Sequence, residues 1–234
     1  EASNDIFWFK KPTKILNKSN PPFYKWFEDG VTNTCYNALD IHIDQGRGKK
    51  TALIYDSPIT GSKSKFTYEE LRSKVSKFAG ALKAQGTNKG DRVIIYMPMI
   101  PEAVVAMLAC TRIGAIHSVV FGGFASNELA SRIDDSKAKV LVTASCGFEP
   151  GRTVEYKPLV DEAIKIANHK IDKMILFQRP GHEVKLIAPN EVSWEEVMSN
   201  AKDADCVEIN SNEFAYILYT SGTTGTPKGI VRDT

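Results

Sequence analysis

From Asp91 to Phe177 the chain switches repeatedly between short unbroken apolar runs and helical spacing, and this alternation limits the fold more than any other feature. "DRVIIYM" (91–97) reads as a buried strand. Pro101 then opens a helix to about Ile113, Gly114 ends it, and "AIHSVVF" (115–121) is a second strand. The unit repeats. Ser126 caps a helix over Asn127 to Asp135, "AKVLVTA" (138–144) is a third strand, Pro158 starts a helix to about Asn168, and "DKMILF" (172–177) is a fourth strand. Strands and helices joined by such short connections require parallel strands with helices on both faces. The expected fold class is α/β, a layered parallel sheet flanked by helices.

Upstream, "FTYEELRSKVSKFAGALKAQG" (66–86) carries a capping box, Thr67 with Glu70, and places Tyr68, Leu71, Val75, Phe78, Ala79 and Leu82 on one helical face before Gly86. Residues 1–50 show weak periodicity, many turn formers and an aromatic cluster around Trp8 and Trp26. They are expected to form an irregular N-terminal segment laid over a core elsewhere. The chain divides accordingly into this segment, 1–60, and an α/β part, 61–234. Downstream, a short helix around Trp194 to Met198 precedes the strand "FAYILYT" (214–220). A loop leaves the C-terminal end of that strand, the end at which open α/β sheets bind ligands.

Composition excludes several classes. With 234 residues, 42% of them apolar, the chain can bury a sizeable core. A net charge of +2 with scattered lysines gives no field for nucleic acid. No apolar run approaches the roughly 18 residues of a membrane span. Cys35, Cys110, Cys146 and Cys206 form no CxxC pair, so neither a zinc site nor a disulfide framework is indicated, and a reducing compartment is expected. The chain opens on Glu1 rather than Met, which leaves room for a removed targeting segment. His117 reads as a core histidine and the other histidines are isolated. Asp134 and Asp135 read as solvated at a helix end.

The loop is "YTSGTTGTPKG" (219–229). Glycines let backbone N–H groups turn toward an anion, hydroxyls add rotatable donors, and Lys228 supplies a compact positive charge. Thr220, Ser221, Gly222, Thr223, Thr224, Gly225 and Lys228 together are the parts of a polyphosphate cradle. Pro227 before the lysine and Gly229 after it depart from the Walker spacing, which disfavours a P-loop NTPase. No set of acidic metal ligands accompanies the loop, which disfavours a kinase-like phosphotransferase.

This loop closely resembles the phosphate-loop signature of the adenylate-forming ligases, the superfamily of acyl-CoA synthetases, luciferases and peptide adenylation domains. The likeness extends along most of the chain. "KWFEDGVTNTCYNALDIHI" (25–43) resembles the N-terminal segment of short-chain acyl-CoA synthetases, and 90–133 resembles their first α/β subdomain. "TASCGFEPGRTVEYKPLVDEA" (143–163) is more similar to propionyl-CoA synthetases than to acetyl-CoA synthetases.

The resemblance implies a two-step reaction using ATP, Mg²⁺, CoA and a short-chain acid, propionate or acetate, in the cytoplasm or the mitochondrial matrix. The loop would lie over the β- and γ-phosphates, with Lys228 and Thr224 stabilising the departing pyrophosphate. In acetyl-CoA relatives two arginines bracket the stretch that is here Glu149, Pro150, Gly151 and Arg152, and contact the nucleotide end of CoA. Arg152 keeps the second, and Glu149 replaces the first. Next to a phosphate Glu149 is repulsive unless it faces ribose or adenine. "FGGF" (121–124) would offer CoA a close backbone approach at Gly123. The plainer alternatives are that Arg152 closes a loop before Pro158 and that the glycines form a tight turn.

In the family, the adenine and ribose contacts, the glutamate that ligates Mg²⁺, the acyl pocket and a mobile C-terminal domain with a catalytic lysine follow the phosphate loop. A chain ending at Thr234 would then be the N-terminal part of a longer ligase and inactive alone. A non-catalytic module binding CoA or a nucleotide would show the same loop chemistry, and a native mass near that of this chain would favour it.

Overall fold

Thr67 fixes the start of the longest helix through its hydroxyl, which accepts from the Glu70 N–H at 3.2 Å while the Glu70 carboxylate accepts from the Thr67 N–H at 2.8 Å. The computed structural model describes residues 2–220 and 227–234 of the chain. The elements of the α/β part are β1 (Thr51–Ser57), β2 (Ser62–Thr67), α1 (Tyr68–Ala84), β3 (Arg92–Met97), α2 (Pro101–Arg112), β4 (Ile116–Phe121), α3 (Ser126–Ser136), β5 (Val140–Ala144), β6 (Cys146–Glu149), β7 (Arg152–Glu155), α4 (Tyr156–Ile166), β8 (Lys173–Phe177), β9 (Glu191–Ser193), α5 (Trp194–Asn200), β10 (Phe214–Thr220) and β11 (Lys228–Asp233). None of the helices among the described residues is long and apolar enough to cross a membrane.

Seven strands form one sheet in the order β9-β8-β5-β3-β4-β10-β11. Every pair is parallel except β10 with β11. The expected α/β layering is therefore present. The direction of each crossover decides where the helices go. β3 to β4 steps one way across the sheet, whereas β4 to β5 and β5 to β8 step the other way. With right-handed connections, α2 must lie on one face and α3 and α4 on the opposite face. The packing agrees, since α1 packs on α2 and α5 while α3 packs on α4. The central strands are buried on both sides, and Ile94, Ile95, Leu141, Val142 and Ile175 are fully buried.

Three sequence expectations need correction. Ser126 is the first residue of α3 and not its cap: Ala125 holds the cap position, and its carbonyl already accepts from Glu128 and Leu129. α4 begins at Tyr156, so Pro158 sits within its first turn, where its missing N–H has no intrahelical partner to lose. The N-terminal segment is less irregular than expected, because it contains the helical turns Tyr36–Asp40 and Ile43–Arg47. Asn33 starts them, its Oδ1 accepting from the N–H groups of Cys35 and Tyr36. The same amide donates to the carbonyls of Thr111, Arg112 and Val207 at 2.9–3.1 Å, covering the C-terminal end of α2. Residues 51–67 form the β1–β2 hairpin, and the division drawn at 60/61 falls in its turn.

Segment 201–208 crosses α1 so closely that Gly80 has no room for a side chain: a Cβ there would overlap the Lys202 carbonyl oxygen. Gly→Ala inside a helix ordinarily stabilises by about 1 kcal/mol. Here Gly80→Ala is expected to destabilise by ~1–3 kcal/mol through overpacking, measured by thermal unfolding. A rise in the midpoint would contradict the close approach.

Candidate active site at the sheet switch point

β3 and β4 are neighbours whose following helices leave toward opposite faces, so a crevice opens between their C-terminal ends. That crevice is a cavity of about 340 Å³, lined by residues 97–100 at the end of β3, 119–122 at the end of β4, 147–149 on β6 and 55–60 of the β1–β2 hairpin, with Tyr156 and Arg179. Two of the expected motifs, FGGF and EPGR, meet here.

The phenol of Tyr156 fills a slot between Gly122 and Gly147, and a Cβ at either glycine would overlap its hydroxyl. Burial, first of all, pushes the Tyr156 phenol up to about 12. The FGGF turn is held by Tyr96, whose hydroxyl accepts from the Gly123 N–H at 3.1 Å and donates to the Phe124 carbonyl at 2.8 Å. Gly123 has φ +99°, a conformation that glycine adopts without strain. A Cβ at Gly123 would stand 3.7 Å from Glu149 Oε1, so the turn and the EPGR hairpin border the same space.

Glu149, Pro150, Gly151 and Arg152 form the tip of the β6–β7 hairpin, with Gly151 at φ +74°. The tip folds the Glu149 carboxylate onto the Arg152 guanidinium at 2.7 Å through both Nε and Nη2. Glu149 thus faces Arg152, and the pair carries no net charge where a cation was expected.

Thr220 is the last residue of β10. Lys228 is the first of β11, opposite Thr220 across the hairpin, and is exposed. The lysine therefore stands on a strand and not in a loop, because the antiparallel pairing reaches back to it. Ser221, Gly222, Thr223, Thr224 and Gly225 lie outside the described residues. β10 pairs in parallel with β4 through Tyr216 beside His117 and Ile217 beside Ser118, so both strands end on the same side of the sheet.

Arg132 ties this stem to the FGGF turn. Its guanidinium lies 5.1 Å from the ring centroids of both Phe124 and Tyr219. Tyr219 donates to Asp135 at 2.6 Å, while Asp134 accepts from the His169 N–H at 2.6 Å and from Asn168. Both aspartates are therefore engaged and not merely solvated. Helical spacing sets Glu128 four residues before Arg132, where they pair at 2.8 Å, and Asp135 three after it, but nothing local indicated Tyr219. His117 is buried as expected; it stacks on Tyr216, and burial lowers it to about 4.

Among the described residues, one group has the donor spacing of a metal site: Cys35, Asp40 and Cys206, whose ligand atoms lie within 4.8 Å of one another. The Arg112 guanidinium occupies it, donating to Asp40 at 2.7 and 3.0 Å and to Cys206 Sγ at 3.0 Å. A thiol-lined position already holding a cation does not fit magnesium, which takes oxygen ligands.

A largely parallel seven-stranded sheet with helices on both faces and a cavity where the crossovers change direction defines a doubly wound α/β protein. Residues 42–234 match the model of the AMP-binding enzyme family, and residues 1–38 match the acetyl-coenzyme A synthetase N-terminus. The chain belongs to the AMP-binding enzyme family. It is 55% identical over its whole length to acyl-CoA synthetase short-chain family member 3, mitochondrial, of Homo sapiens, and spans 34% of that protein. It is 45% identical, over 99% of its length and 35% of the relative's, to the acetyl-coenzyme A synthetase of Streptomyces avermitilis. The acetoacetyl-CoA synthetase structure from Streptomyces lividans superposes with a TM-score of 0.86, at 26% identity, over 98% of this chain and 34% of that one. The chain thus spans about a third of the length of these relatives.

Proposed function

We propose that the full-length protein is an AMP-forming short-chain acyl-CoA ligase and that propionate is its acid. The observation that carries this reading is the Thr220–Lys228 stem, set one strand from the switch-point cavity and braced against FGGF by Arg132. The acid's carboxylate oxygen attacks the α-phosphorus of ATP, supplied as its magnesium complex, and the bond to the β-phosphate breaks to release pyrophosphate. The CoA thiol sulfur then attacks the acyl carbon, and AMP leaves with the bonding pair.

Thr220, Ser221, Gly222, Thr223, Thr224, Gly225 and Lys228 are proposed to hold the phosphates. Lys228 and Thr224 would offset charge growing on pyrophosphate. Gly123 and the 149–152 hairpin are proposed to border CoA. The α/β part, with the whole β1–β2 hairpin, is proposed as the first part of the AMP-binding domain, and the residues before it as its N-terminal adjunct. Four free thiols and the mitochondrial name of the human relative support a reducing compartment, cytosol or mitochondrial matrix.

Propionate and acetate differ by one methylene, worth about 1–3 kcal/mol in a shaped pocket. The assay is pyrophosphate release by the full-length protein with ATP, Mg²⁺ and CoA across acetate, propionate, butyrate and isobutyrate. A peak at propionate is expected. A peak at another acid keeps the ligase and discards propionate, and no release with any acid discards the ligase.

A further inference from the structure

Arg179 is 8% exposed, and among the described residues its Nε has no hydrogen-bond partner. Its position is tightly set. The Arg179 N–H donates to Ser145 Oγ at 2.9 Å, Ser145 in turn donates its own N–H to the Phe177 carbonyl at 2.9 Å, and the guanidinium lies 5.1 Å from the Phe148 ring centroid. The side chain lines both the 340 Å³ switch-point cavity and an adjoining one of about 430 Å³.

Among the described residues no carboxylate lies within ion-pair distance of its guanidinium. Asp56 pairs with Lys63 at 2.9 Å and Glu149 with Arg152 at 2.7 Å. Glu102 lines the larger cavity with Arg179 outside ion-pair range; burial raises its carboxyl, and the Lys74 and Arg179 charges only partly offset that. A buried guanidinium without a counter-ion is costly unless an anion completes it. Its planar fork suits a phosphoryl group, and the cavity is far larger than a short-chain acid.

We infer that Arg179 binds a phosphate of CoA inside the switch-point cavity, supplying the positive charge that Glu149 cancels at Arg152. This rests on the proposed ligase reading, in which the 220–228 loop takes the phosphates of ATP and leaves CoA as the other phosphorylated substrate. The apolar lining contributed by residues 97–100 and 119–121 would border the pantetheine arm.

The test compares the full-length protein with Arg179→Gln, titrated calorimetrically with CoA, dephospho-CoA and pantetheine. Arg179→Gln is expected to weaken CoA binding about tenfold to a hundredfold and leave pantetheine binding unchanged. A parent–variant difference that persists with dephospho-CoA assigns the contact to the diphosphate; one that vanishes assigns it to the 3′-phosphate. Equal CoA affinity in parent and variant, equal losses for CoA and pantetheine, or no CoA binding by the parent each overturn the inference. Arg179→Lys keeps the charge without the fork and is expected to bind CoA more weakly than the parent. It decides the matter where the Gln variant does not fold, and parental affinity in it overturns the inference. ATP–pyrophosphate exchange on the same preparations separates the two claims: exchange with unaltered CoA affinity removes Arg179 alone. Absent exchange in the parent removes the ligase reading, and the affinities still decide Arg179.

Discussion

Lys228→Ala in the full-length protein is expected to slow adenylate formation by about 10²–10³-fold, the usual loss when one preorganised donor to developing charge is removed. The unfolding midpoint should hardly move. Lys228 is exposed at the first position of β11, where its backbone pairs with Thr220 whatever the side chain, and surface changes of this kind stay within about 0.5 kcal/mol. The measurement is acid-dependent ATP–pyrophosphate exchange beside thermal unfolding. Equal exchange rates in variant and parent would leave the lysine without a catalytic part. A large drop in stability would instead assign it to the hairpin.

Asp40→Ala is expected to be among the most damaging substitutions outside the candidate site, at ~3–5 kcal/mol, because it strands Arg112 as a buried and uncompensated charge. Arg112 is 2% exposed at the end of α2. Besides Asp40, its Nε donates to the Ala204 carbonyl at 2.6 Å, so one guanidinium joins the N-terminal helical turns, α2 and the 201–208 crossing. A loss of that size is a large share of the ~5–15 kcal/mol that holds a typical domain together. Urea denaturation followed by circular dichroism would measure it. Removing both charges, Asp40→Leu with Arg112→Met, should recover much of the loss, since no unpaired charge is then left inside. An Asp40→Ala variant within 0.5 kcal/mol of the parent would show that the pair is dispensable.

The parallel strands and helices between Asp91 and Phe177, apart from the β6–β7 hairpin, and the Thr67–Glu70 capping box were legible in the sequence. Each depends on residues within a few positions of one another, where period, cap and turn chemistry act. Helix starts moved by one or two residues, at Ala125 and Tyr156, because competing local bonds decide such ends. The N-terminal turns at Tyr36–Asp40 went unread because Asn33 supports them through carbonyls up to 174 positions away.

The candidate site was legible only as separate motifs. That FGGF and EPGR border one cavity follows from the crossover directions that put β3 beside β4. Arg132 between Phe124 and Tyr219, Tyr156 in its slot, Glu149 folded onto Arg152 and an Arg179 Nε without a hydrogen-bond partner among the described residues are equally products of that packing. Local periodicity determines which elements form. Which charges meet and which remain alone is decided by contacts between residues far apart in the chain, such as Arg112 and Asp40 at a separation of 72, and only the folded sheet brings those together.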